Sequence, residues 1–86
     1  MTDEMMNYEE KANTDRLEFF YNEKVKIHLI LKREISPGKK VYINGELIRR
    51  PSERLWILKD RELGEVRVSI SEIAPNGVEK FTEVGG

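Results

Sequence analysis

From Val25 onward the apolar residues of this chain recur at every second position, and turn residues interrupt them about every ten residues. A period of two puts alternate side chains on opposite faces of an extended backbone, so each such run reads as a half-buried strand. Val25, Ile27, Leu29 and Leu31 alternate with Lys26, His28, Ile30 and Lys32 in the first strand, residues 25–32. Ser36-Pro37-Gly38 follows as a turn, with Pro37 presetting its own φ and Gly38 accepting a positive one. The second strand covers residues 40–50 and contains Asn44-Gly45. That dipeptide either turns a hairpin or lets one long strand bend sharply. The bend is preferred, because residues 40–43 alone would be a stub and residues 46–50 continue in β-compatible side chains. Pro51-Ser52-Glu53 ends this strand, residues 55–59 form the third, and residues 60–65 form a loop with Gly64 at positive φ. Val66, Val68 and Ile70 alternate with Arg67, Ser69 and Ser71 in the fourth. Ala74-Pro75-Asn76-Gly77 is the clearest turn signal, and residues 78–84 close as the fifth strand.

Upstream the period is helical. Leu17, Phe20 and Tyr21 stand at i, i+3 and i+4, and Thr14-Asp15 opens this helix with Asp15 and Glu18 placed for a capping box. A two-turn helix cannot stand alone, so its apolar stripe must dock. Residues 1–13 show no apolar period and read as a flexible leader. The expected fold is mainly β: a short N-terminal helix and a five-stranded, strongly bent antiparallel barrel over residues 14–84, with residues 85–86 as a tail.

This order of elements resembles the Sm and Sm-like (LSm) family of small, SH3-like barrels. The resemblance covers about residues 15–84 and is carried by four stretches. Leu17 to Lys32 is similar to the family's helix and first strand, and Val41-Tyr42-Ile43-Asn44-Gly45-Glu46-Leu47 to its second strand around the bending glycine. Leu55-Trp56-Ile57-Leu58-Lys59-Asp60 is similar to its third strand, and Gly64-Glu65-Val66 with Ile70-Ser71-Glu72-Ile73 to its fourth. Leu63-Gly64-Glu65 followed by Glu72-Ile73 is also similar to uncharacterised Sm-like proteins of archaea and their viruses. The family's RNA pocket places an aspartate six residues after the glycine, then an apolar–asparagine pair; here those positions hold Pro51 and Leu55-Trp56. Its second signature ends in arginine–glycine, where this chain has Ser69 and Ile70. No base-reading residue carries over, so the resemblance implies the fold and a non-enzymatic, ribonucleoprotein-type role without uridine specificity. It also implies homo-oligomers in which the fourth strand of one copy pairs with the fifth of the next, through Val66, Val68, Ile70, Val78, Lys80, Phe81 and Thr82.

Composition narrows function by exclusion. Among 86 residues there is no cysteine and one histidine, which removes thiol chemistry, disulfides and two-histidine metal sites. His28, on the polar face of its strand, has no nucleophile motif beside it, and neither a phosphate loop nor a cofactor motif occurs. No cofactor and no enzymatic activity are expected. No apolar run approaches the 18 residues of a membrane span and the first ten residues are acidic, so a cytoplasmic location is expected. The net charge of −1 conceals a partition: residues 1–23 carry −5, residues 24–61 carry +7 and residues 62–86 carry −3. The basic centre is either a nucleic-acid surface or an ordinary solvated face neutralised by the acidic ends. For the first case the candidates are Arg49, Arg50 and Arg54 around Pro51, with Lys39, Lys40, Tyr42 and Trp56, and the expected partner is single-stranded RNA, bound weakly and without sequence preference. Trp56 is either an exposed stacking platform or packed beneath Phe20 and Tyr21. A scaffold that binds other proteins is the alternative role. The terminal Gly85-Gly86 raises a third, a diglycine-tailed modifier, but that fold needs a long helix between its second and third strands.

Overall fold

In the computed structural model, which describes residues 6–82, helix formation begins earlier than the apolar stripe indicates. Asn7 is the N-cap: its side chain accepts from the Glu10 N–H at 2.8 Å, and Glu10 reaches back to the Asn7 N–H at 3.4 Å. The helix α1 runs Tyr8–Glu23, so residues 8–13 belong to it, while residues 1–5 of the expected leader lie outside the described residues. The first two turns escaped the apolar period because their buried positions are polar. Asn13 and Thr14 are buried together with Leu17 and Phe20. Asn13 Nδ2 donates to the Ala74 carbonyl at 3.1 Å, and the Thr14 hydroxyl to Met6 Sδ at 3.3 Å. Lys24 ends the helix in the left-handed conformation, φ 59°, with its N–H on the Phe20 and Tyr21 carbonyls.

Five strands follow: β1 Lys26–Ser36, β2 Lys39–Ser52, β3 Leu55–Asp60, β4 Gly64–Ser69 and β5 Ile73–Lys80. All pairings are antiparallel, in the order β4-β3-β2-β1-β5. Strand β2 is the spine of the sheet. Pairing runs unbroken through Asn44, Gly45 and Glu46, and Gly45 faces Ile27 of β1 on one side and Asp60 of β3 on the other. The dipeptide therefore lies inside one long strand and turns no hairpin. Gly45 has no positive φ; what it needs is room, because a Cβ there would meet the Lys59 carbonyl oxygen and stand 2.9 Å from its carbon. Gly38 and Gly64, at φ 82° and 80°, are the positive-φ turn glycines.

Two expectations change. The sheet does not close into a barrel: β4 and β5 are its two edges, and α1 covers the apolar side. Nor does Ala74-Pro75-Asn76-Gly77 separate two strands. Leu31 pairs with Ile73 and Leu29 with Val78, so these four residues bulge within β5, with Asn76 at φ 57°. The link from β4 to β5, which run in the same sense at the two edges, is instead a single 3₁₀ turn, Ile70–Glu72, whose N-cap is Ser69. The fourth strand accordingly ends at Ser69 and the fifth at Lys80, with residues 83–84 outside the described set. The tetrapeptide carries turn chemistry, but both its flanks pair with β1, and that keeps the chain going forward. The core gathers Leu17 and Phe20 from α1 with Ile27, Leu29, Leu47, Trp56, Leu58, Val68, Ile70 and Val78. The helix precedes β1, and β2 runs into β3 with no helix between them, so the modifier fold is excluded; Gly85-Gly86 lie outside the described residues.

Candidate interaction surfaces

The arginine cluster is the first sequence-predicted site, and the structure takes it apart. Arg49, on β2, holds Glu65 of β4 at 2.9 Å. Arg50 Nη1 meets Glu18 of α1 at 2.6 Å, Nη2 donates to the Glu53 carbonyl at 3.1 Å, and the guanidinium lies 4.6 Å over the Trp56 ring. Arg54 Nη2 meets Glu10, also of α1, at 3.1 Å. Three arginines thus serve three carboxylates, and two of them staple the helix to the end of β2 and the following turn. The acidic N-terminal region folds onto the basic centre, which is the solvated-face alternative raised by the charge partition.

Trp56 is likewise no stacking platform. Its exposure is 0%, and it packs edge-on against Tyr21 at 5.5 Å. With Leu58, also fully buried, it lies on the side of the sheet that the helix covers. Tyr42 is different: it is 55% exposed and stacks on His28, ring centres 5.1 Å apart, while His28 Nδ1 contacts Asn44 Oδ1. Lys39 is exposed at the start of β2, and Lys40 pairs with Glu34 at 3.6 Å.

Tyr42 belongs to a broad open groove of about 740 Å³ on the outer face of the sheet, which also takes in Lys26, Glu46, Lys59, Arg61, Leu63 and Phe81. Lys26 Nζ lies 5.3 Å over the Phe81 ring. Across the strands Lys26 faces Glu46, Glu46 faces Lys59, and Lys59 faces Glu65. Alternating charge along one rung of the sheet supports its register. It also leaves the groove without a dominant sign, since Asp60 and Glu62 accompany Arg61. Asp60 caps the β3–β4 loop, its Oδ1 accepting from the N–H groups of Glu62 at 2.7 Å and Leu63 at 2.9 Å. These bonds, that of Leu63 foremost, favour the carboxylate and hold Asp60 below its ordinary pKa. Among the described residues no group of three or more His, Asp or Glu side chains is placed to hold a metal ion.

The predicted oligomer residues divide in the same way. Val68, Ile70 and Val78 are buried in the protomer's own core and are withdrawn as interface side chains. Val66 is half-buried against that core, Phe81 is half-buried, and Lys80 and Thr82 are exposed. The two sheet edges also differ. Helix side chains already take two carbonyl groups of β5: Asn13 that of Ala74, and Arg16 Nε that of Val78 at 2.8 Å. Among the described residues no strand pairs with the outer edge of β4, where only the Ser69 N–H at its end is taken, by Glu72 at 3.0 Å. Sequence reasoning picked the strand but missed what makes its edge distinctive, the Glu65-Val66-Arg67 pattern, because which strand ends up at an edge is a property of the sheet order.

No family model, curated protein or solved structure matches this chain. The positions at which the resemblance to Sm-like proteins would put the second half of an RNA pocket have other tasks: Ser69 caps the 3₁₀ turn and Ile70 fills the core. Among the described residues no helix is long and apolar enough to cross a membrane.

Proposed function

We propose that this chain is a non-enzymatic, Sm-like β-module that works by assembling with copies of itself through its open sheet edge. One observation carries the reading: β4 ends the sheet with no strand on its outer side, and it exposes Glu65 and Arg67 while its apolar residues face the core. An exposed edge is a template for another strand unless something covers it. His28, the chain's one histidine, is engaged by Asn44 and Tyr42. Sedimentation equilibrium across a wide concentration range tests the proposal. The expected result is a mass that rises with concentration; a monomer at every concentration overturns it.

The outer groove favours a second reading, weak binding of single-stranded RNA. The exposed Tyr42–His28 stack and the Lys26–Phe81 pair offer a ring for a base and cations for phosphates. The arginines do not contribute, since each is engaged by a carboxylate. Fluorescence anisotropy with a labelled oligouridylate at low salt should detect binding that Tyr42→Ala weakens by about 1–3 kcal/mol. Binding that Tyr42→Ala leaves unchanged, or none at low salt, removes this reading.

A further inference from the structure

We infer that the partner at the β4 edge is the β4 strand of a second copy, antiparallel, with the two-fold axis passing through Val66. This rests on the proposed self-association and specifies its geometry. Opposite β3, Glu65 pairs with Lys59, Val66 with Leu58, and Arg67 with Ile57. Glu65 and Arg67 therefore share the outer face of the sheet, and Val66 shares the inner, apolar face. A two-fold axis at Val66 sets Glu65 opposite the partner's Arg67, Arg67 opposite the partner's Glu65, and the two Val66 side chains against each other. The charge pattern rejects the neighbouring registers. An axis at Arg67 or at Glu65 puts like charges directly opposite each other. An axis between residues sets an inner side chain against an outer one and turns one copy's apolar face to solvent. An axis at Val68 runs the pairing into the 3₁₀ turn Ile70–Glu72.

The ionic inventory agrees. Arg33, Arg49, Arg50 and Arg54 each meet a carboxylate within the protomer; among the described residues Arg67, like Arg16 and Arg61, meets none, and of these three Arg67 is the one on the β4 edge. Glu65 holds Arg49 through Oε1, which leaves its second oxygen for the partner's guanidinium. Pairing of β4 with a neighbour's β5, as in a ring, would have to displace Arg16 and Asn13 from the β5 carbonyls. Pairing β4 with β4 about Val66 leaves those helix contacts in place, and the one side-chain bond on this edge, Ser69 N–H to Glu72 at 3.0 Å, lies beyond the Glu65–Arg67 pairs.

Charge reversal supplies the test. Glu65→Arg alone and Arg67→Glu alone each create two like-charge pairs across the symmetric interface. Each variant should self-associate about tenfold more weakly than the wild type by sedimentation equilibrium, with an unchanged circular dichroism spectrum. An equimolar mixture of the two should regain a dimer, since each copy then faces opposite charges. The chain has no cysteine, so Val66→Cys places a single thiol on the axis. It should oxidise to a disulfide-linked dimer, because facing residues of antiparallel strands stand within disulfide reach, while Ser69→Cys should not. A wild type that associates yet ignores both reversals, with no cross-link at Val66→Cys, overturns the β4–β4 pairing and leaves self-association standing. A wild type that stays monomeric overturns both. Should a reversal variant lose its fold, the Val66→Cys cross-link decides alone.

Discussion

Gly45 shows how one residue's lack of a side chain sets the course of a strand. Its neighbour across the sheet is the Lys59 carbonyl, a backbone group of a strand paired on both sides, which cannot step away as a flexible side chain would. Gly45→Ala should therefore destabilise the protein by a few kcal/mol in urea unfolding, in the range of backbone clashes and overpacked cores. Gly38→Ala, where nothing lies within 4 Å, should cost only the strain of its positive φ. Equal losses at the two sites would mean that β3 does not approach Gly45 as described. Asp60 makes a second prediction, about pH. Hydrogen bonds from Leu63 and Glu62 stabilise its charged form in the folded state, so the folded pKa lies below the ordinary 3.8. The resulting stability is present above the unfolded pKa and is lost as pH falls through the folded one. An NMR titration should place the Asp60 midpoint below 3.8, and Asp60→Asn, which can still accept both N–H groups, should keep the loop while removing this acid-side loss. A midpoint at or above 3.8 contradicts the capping geometry.

At the scale of elements, the helix is the part whose extent the apolar pattern misjudged. Its real start is marked by Asn7 and Glu10, a capping box as plain in the sequence as the Asp15–Glu18 pair, but the two turns it opens bury Asn13 and Thr14 in place of apolar side chains. A period search counts hydrophobicity and is blind to a polar residue buried through a bond to a distant strand, here the Ala74 carbonyl. If the helix begins at Asn7, Asn7→Ala should lower stability by about 0.5–2 kcal/mol. No change in the urea midpoint would return the start of the helix to Thr14. The same blindness misplaced the last strand. Ala74-Pro75-Asn76-Gly77 satisfies every local rule for a turn, yet β1 pairs on both sides of it and converts the turn into a bulge. The mid-strand reading of Asn44-Gly45 succeeded because residues 40–43 alone would be a stub and residues 46–50 continue in β-compatible side chains, so one strand pairs throughout.

Over the whole molecule, charge and core are organised together. The acidic helix and the basic strands meet through Glu10–Arg54 and Glu18–Arg50, beside a tryptophan that the helix and Arg50 enclose. A helix docked this way shares the core of the sheet, so the protein should unfold as one unit. Helical circular dichroism and Trp56 fluorescence should give coincident urea transitions. A helix signal lost ahead of the tryptophan would show a separately melting lid. The sequence by itself determined the mainly β class, the five strands, the helix before them, the turn glycines and the single strand running through Gly45, because periodicity, turn chemistry and strand length are local. Only the tertiary structure decided that Trp56 is enclosed, that the arginines are engaged, that the sheet stays open, and that β4 is the bare edge. Each of those depends on which distant residue arrives opposite, and the linear pattern of one chain carries no distance between Glu18 and Arg50 or between Asn13 and Ala74.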